Sequence, residues 1–176
     1  MLGILGVVGV VVIAIMASLA IPAFSKVKSK AERANTRVTM KGLEIAIKGY
    51  QTEYNRLPLK GSPSPVAGDQ NSDTTDPDGR ALLDTLLGKD TVTNPRSIYF
   101  IDLAPARASG AGYSASSGLR DPWGKNGYRI LLDANGDGNI ADPEGLVGDL
   151  KATIRIYSAG PDGDFATWAD NVCSWK

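Results

Sequence analysis

The chain has 176 residues, 43% of them hydrophobic, with 19 Lys plus Arg balancing 19 Asp plus Glu and no histidine. That length suits one domain with one modest core. The even balance gives no basic excess for nucleic acid, the missing histidine removes imidazole chemistry, and the single cysteine, Cys173, cannot close an internal disulfide. An intermolecular bridge and a buried free thiol are the two remaining readings of Cys173.

Residues 1–25 carry no charged side chain, and the first charge is Lys26. A run of about 20 apolar residues, at about 1.5 Å each, is long enough to cross a bilayer's hydrocarbon core. It is too long for the apolar part of a cleaved secretory signal, and no basic stretch precedes it, so a membrane-resident helix is the better reading. From Ser25 to Tyr54 the sequence SKVKSKAERANTRVTMKGLEIAIKGYQTEY holds no proline. Val27, Ala31, Ala34, Val38, Leu43, Ile47 and Tyr50, with Ala46 and Tyr54 as alternatives, recur at three- to four-residue steps with some drift. That spacing predicts an amphipathic stripe. One helix is therefore expected from about residue 2 to 54, about 80 Å long. Residues 1–25 are apolar all round, and residues 26–55 hold a soluble domain on one face.

The run VVVIAIMASLAIPAFSKVKSKAERA resembles the N-terminal helix of type IV pilins and type II secretion pseudopilins, with Pro22 at the distance from the chain start that those mature proteins show. The resemblance implies that Met1 follows a short leader removed by a prepilin peptidase and is then N-methylated. It implies an α+β, pilin-like fold: one long N-terminal helix packed on a small antiparallel sheet with long loops. Leu5 is a departure, since most members carry there a glutamate that pairs with the neighbouring subunit's N-terminal amine; minor tip subunits lack it too. Gly3, Gly6 and Gly9 each cost about 1 kcal/mol of helix propensity relative to Ala. Membrane helices tolerate glycine, and small residues also let helix backbones approach closely. With Leu5 and Pro22, these glycines are the expected packing residues of a filament core. Pro22 removes a backbone donor, which predicts a kink or opening near residues 18–22. The resemblance widens it to about residues 14–22 in a filament. Lys26, Lys28, Lys30 and Arg33 follow the apolar run, which by the positive-inside rule leaves the remaining domain in the cytoplasm. A basic leader, implied by the family alone, would reverse that orientation.

Residues 56–120 read as a loop-rich connection. Asn55, Pro58 and Leu59 mark the end of the long helix, and residues 60–80 form a Ser/Pro/Gly/Asp loop whose aspartates Asp69, Asp73, Asp76 and Asp78 are expected to be solvated rather than metal-bound. Residues 80–88 predict a short helix capped by Gly88. Residues 97–103, SIYFIDL, predict a strand, and residues 104–118 an exposed loop.

Residues 121–176 predict an antiparallel sheet with an acidic C-terminal loop. DPWG at 121–124, leading into NGYRILLD, resembles the major pseudopilin pattern; Asp-Pro starts a turn and Trp123 covers the sheet. Residues 127–132 and 151–157 are the clearest strands. Between them, DANGDGNIADPE fits the spacing of a calcium loop. Asp133, Asn135, Asp137 and Glu144 would be its oxygen ligands and Gly138 its sharp turn. It lies between strands, and Pro143 opposes an exiting helix, so the fold is not an EF-hand; an Asn-Gly/Asp-Gly hairpin turn is the alternative. Residues 158–176, SAGPDGDFATWADNVCSWK, closely resemble the C-terminal loop of major pseudopilins, which binds Ca²⁺ in place of the pilin disulfide. By that resemblance Asp162, Asp164 and Asp170 are ligands, with backbone carbonyls near Ser158 and Thr167. Trp168 and Trp175 read as packing residues. Protonating the carboxylates below about pH 4 would release the ion.

The function expected is a structural subunit of an extracellular, type IV pilus-like helical homopolymer, held in the inner membrane before assembly. The family supplies its partners: a prepilin peptidase, an assembly platform and an ATPase. A major or minor type II secretion pseudopilin, in a periplasmic pseudopilus, is the runner-up. A membrane-anchored calcium-dependent adhesin would not need the long unbroken helix. With no histidine, Gly-x-Ser-x-Gly or phosphate-binding loop, catalysis is not expected.

Overall fold

The computed structural model describes residues 2–59, 68–146 and 148–176, with side chains from residue 25 onward. The chain is α+β. Helix α1 spans Leu2–Tyr54, 53 residues, and ends where Asn55 takes a left-handed turn at φ 52°. Strand β1 (Gln70–Asp73), helix α2 (Pro77–Leu86) and the hairpin β2 (Gly112–Ser114) and β3 (Gly118–Arg120) follow. Then come β4 (Arg129–Leu132), β5 (Asn139–Ile140), β6 (Leu150–Lys151), β7 (Ile154–Ser158) and β8 (Val172–Cys173).

The main sheet is antiparallel with strand order β1-β4-β7-β8; two short pairs, β2-β3 and β5-β6, stand apart from it. Alternation along the strands sends side chains to both faces. Ile130, Leu132, Ile154 and Ile156 join α1 and α2 in the main core. Leu131, Tyr157 and Cys173 face the other way, where Ile140 and the partly buried Phe165, Trp168 and Trp175 cover them. Tyr157 stacks on Trp168 at 5.3 Å and meets Trp175 edge-on at 5.8 Å, so both tryptophans pack, as the sequence suggests. Each large side chain buried this way contributes about 1.5–3 kcal/mol.

The core face of α1 matches only the second half of the stripe read from the sequence, from Leu43 onward. Met40, Leu43, Ala46, Ile47 and Tyr50 are buried, with Thr36 beside them. Val27 and Val38 are 66% and 71% exposed, and Ala31 and Ala34 are exposed too. The five-residue step from Val38 to Leu43 turns a helix about 140° away from a constant face. The sequence stripe therefore joins two different faces.

Local chemistry explains the remaining differences. Residues 68–80 are not all loop: β1 pairs along β4, and α2 starts at Pro77, earlier than expected. Asp76 caps that helix, its carboxylate accepting from the Gly79 amide at 2.7 Å, and Pro77 needs no amide partner in the first turn. Leu87 caps its other end, with Gly88 at φ +69° beyond it. Asp73 pairs with Arg129 at 3.5 Å and is half-buried like Asp76, whereas Asp69 and Asp78 are exposed, as a solvated loop requires. Residues 97–103 form no strand, and Ser97 is left-handed at φ 49°. Fully buried Asn94 takes the place of a neighbouring strand: Nδ2 donates to Thr85 O and Ile98 O, and Oδ1 accepts from Ile98 N and Tyr54 Oη. The expected loop at 104–118 contains β2 and the start of its hairpin with β3.

The readings on Met1, Gly3, Leu5, Gly6, Gly9 and Pro22 fall on residues whose side chains lie outside those described. The kink or opening expected near residues 18–22 falls in the same stretch. Among the described residues from Ser25 onward no helix is long and apolar enough to cross a membrane.

Candidate functional site

The two acidic loops lie on either side of β7. In the first, Asp133 follows β4 and is 6% exposed. Its Oδ1 accepts from the amides of Gly136 (2.7 Å) and Asp137 (3.1 Å), and its Oδ2 from Gly138 (2.9 Å). Asn135 Oδ1 accepts from Asp137 N at 3.0 Å, and Asp137 Oδ1 from Asn139 N at 2.8 Å. This chain of side-chain turns winds the backbone around Asp133 and compensates the desolvation of its charge. Glu144 does not close the ring: its carboxylate is ion-paired with Lys176 at the far end of the sequence. Nor does the segment turn directly from β4 into β7, because β5 within it pairs with β6 beyond it before β7 begins.

The C-terminal loop joins β7 to β8. Asp162 Oδ1 accepts from Asp164 N at 3.0 Å and Asp164 Oδ1 from Ala166 N at 2.9 Å. Both residues are exposed. Asp170 is drawn off to α1, where Arg33 donates to its carboxylate and its carbonyl, each at 3.3 Å. The Thr167 carbonyl accepts from the amides of Asp170 and Asn171. Lys125 fills another part of the loop, its Nζ donating to Pro161 O at 2.9 Å and Asp162 O at 3.1 Å, while Asn126 Nδ2 donates to Gly163 O at 2.6 Å. Asn171, 9% exposed, donates through Nδ2 to Phe165 O at 2.9 Å, and its Oδ1 has no partner. The three predicted carboxylates are thus not brought together around one centre. Among the described residues no group of three or more Asp, Glu or Cys side chains is arranged to hold a metal ion.

The loop is latched to the rest of the fold by the DPWG turn. Asp121 is fully buried; its amide donates to Asn126 O and its carbonyl accepts from Gly124 N, both at 2.9 Å. Its carboxylate Oδ2 accepts from Ser158 Oγ at 3.0 Å, whereas Oδ1 is buried without a partner. Burial pushes this carboxyl above the ordinary Asp range, and the Ser158 hydroxyl offsets part of the effect. Trp123 packs against the main core. Sequence reasoning identified the turn and the loop but missed the latch of Asp121, Lys125, Asn126 and Arg33. A Lys-Asn pair directly after DPWG carries no motif, and Arg33 lies 137 residues from its partner.

Cys173 is a buried free thiol whose pKa burial pushes up to about 11. It is protonated at neutral pH and has little nucleophilic or metal-binding character. No protein-family model, curated protein or solved structure matches the chain.

Proposed function

We propose that the chain is a structural subunit of a type IV pilus-like helical filament, with a pilin-like fold in which the first half of α1 forms the core of the polymer. One observation carries this reading. A single 53-residue helix runs from an uncharged segment into a globular domain, and among its described side chains the fully buried ones begin at Thr36. An anchor alone needs about 20 residues. In a filament the apolar halves pack against one another instead of lipid, through close van der Waals contact. Processing by a prepilin peptidase, export by a platform and ATPase, and a cell-surface destination belong to the same proposal.

The DPWG turn, with its buried Asp121, and the acidic loop latched to it favour a second reading, a type II secretion pseudopilin. Calcium in the C-terminal loop is part of either proposal. Asp162 and Asp164 would hold it; Asp170 serves Arg33 instead. A bound ion would neutralise the loop and brace it.

Negative-stain electron microscopy of the sheared surface fraction, with mass spectrometry of its main band, tests the filament. Thin filaments made of a chain starting at N-methylated Met1 support the pilus. Subunits retained in the inner membrane favour the secretion reading, and a chain that is neither processed nor assembled rules out both.

A further inference from the structure

The exposed side of α1 carries an apolar line between residues 27 and 45. At about 100° per residue, Val27, Ala34, Val38 and Ile45 lie within about 40° of one line, roughly 27 Å long. Val27, Val38 and Ile45 are 66%, 71% and 60% exposed on the side turned away from the core. Beside this line run Lys30, Arg37 and Lys41. Lys41 pairs with Glu44, while Lys30 and Arg37 make no ion pair with the described residues.

Charge in this protein is neutral in sum but segregated. Residues 25–54 carry seven Lys and Arg against three Glu, whereas residues 133–149 carry no Lys or Arg and five Asp and Glu, of which Asp133 is buried and Glu144 is paired with Lys176. That acidic segment presents its own apolar residue, Leu146, 73% exposed, with Asp137 and Asp149 exposed near it in sequence. A basic stripe with an apolar centre and an acidic segment with an apolar tip are complementary in both charge and hydrophobicity.

We infer that the Val27–Ile45 stripe of α1 docks the Leu146-bearing acidic segment of a second copy of this chain. The contact joins two different surfaces, and such heterologous contacts build open helical polymers when the rotation does not close. This rests on the filament reading and specifies the contact that holds adjacent globular domains together. An anionic lipid surface fits less well. The stripe is collinear with the uncharged segment of the same helix, so a membrane crossed by that segment meets the stripe end-on rather than along its length. Electrostatic pairing of this kind weakens as salt rises.

Self-association of the full-length chain in nonionic detergent, followed by sedimentation at low and high salt, tests the contact. Arg37→Glu and Asp149→Lys should each weaken association by at least about tenfold, about 1.4 kcal/mol. The double variant should recover most of the loss, and Val38→Asp should abolish association. Circular dichroism melts of these exposed-site variants should match the parent. Single variants that associate like the parent, or a double variant that stays weak, would overturn the stripe contact whatever the filaments do. Loss confined to binding of anionic phosphatidylglycerol vesicles, with association intact, would assign the stripe to lipid and overturn it as well. Salt-sensitive association through the stripe, with no filaments in the sheared fraction, would keep this inference and remove the filament reading.

Discussion

Gly124 and Gly136 separate backbone strain from close packing. Both are left-handed, at φ +70° and +76°, but a Cβ on Gly124 would overlap the Ser109 carbonyl, while Gly136 faces open space. Gly136→Ala should therefore cost about 1–2 kcal/mol from backbone strain alone. Gly124→Ala should cost clearly more, because Ser109 must move and the DPWG turn with it; denaturant melts of the two variants measure the difference. Asp121 offers a pH test. Its pKa is raised in the folded state, so its contribution to stability is fully present below the unfolded value and is lost as pH rises through the folded one. Asp121→Asn should remove that term, so its stability relative to the parent rises from pH 4 towards neutrality. A difference that is flat with pH would show that the carboxyl titrates normally. The sequence made the turn legible, because Asp-Pro and Gly have local preferences. Burial of Asp121 beneath Ser158 was not legible, since it joins positions 37 residues apart.

At the scale of elements, α1 shows where periodicity stops being informative. Met40→Ala, on the face gripped by the sheet, should cost about 2–5 kcal/mol. Val38→Ala, two residues away and exposed, should stay within about 0.5 kcal/mol. Equal costs would mean that the core face is misplaced. The C-terminal loop carries its own prediction. If it takes calcium, Asp162→Ala with Asp164→Ala should lower Tm and abolish any shift caused by EGTA; identical melts with and without chelator would dismiss the ion. Strands β4 and β7 were readable from alternation, and α2 from its apolar residues and Gly88. Residues 97–103 were misread because apolar alternation signals an extended, half-buried segment, whereas strand pairing needs a neighbour. Here the side chain of Asn94 supplies the hydrogen bonds instead.

For the whole molecule, the division of labour along α1 makes assembly and folding separable. Gly6→Arg should block filament formation and leave the globular melt unchanged, because the buried residues of α1, among those described, lie between Thr36 and Tyr50. Filaments that persist in this variant would rule out an apolar core. The sequence by itself determined the long helix with its uncharged start, the α+β class, the two best strands and the acidic loops. All of these are properties of runs, spacing and local turn chemistry. Only the tertiary structure decided which face of α1 is buried, that Asp170 and Glu144 serve Arg33 and Lys176, and that Lys125 reaches into the C-terminal loop. Those outcomes follow from packing against the sheet and from pairing of charges distant in sequence. An ionic side chain takes the nearest opposite charge that the fold presents, and spacing along the chain does not encode that choice.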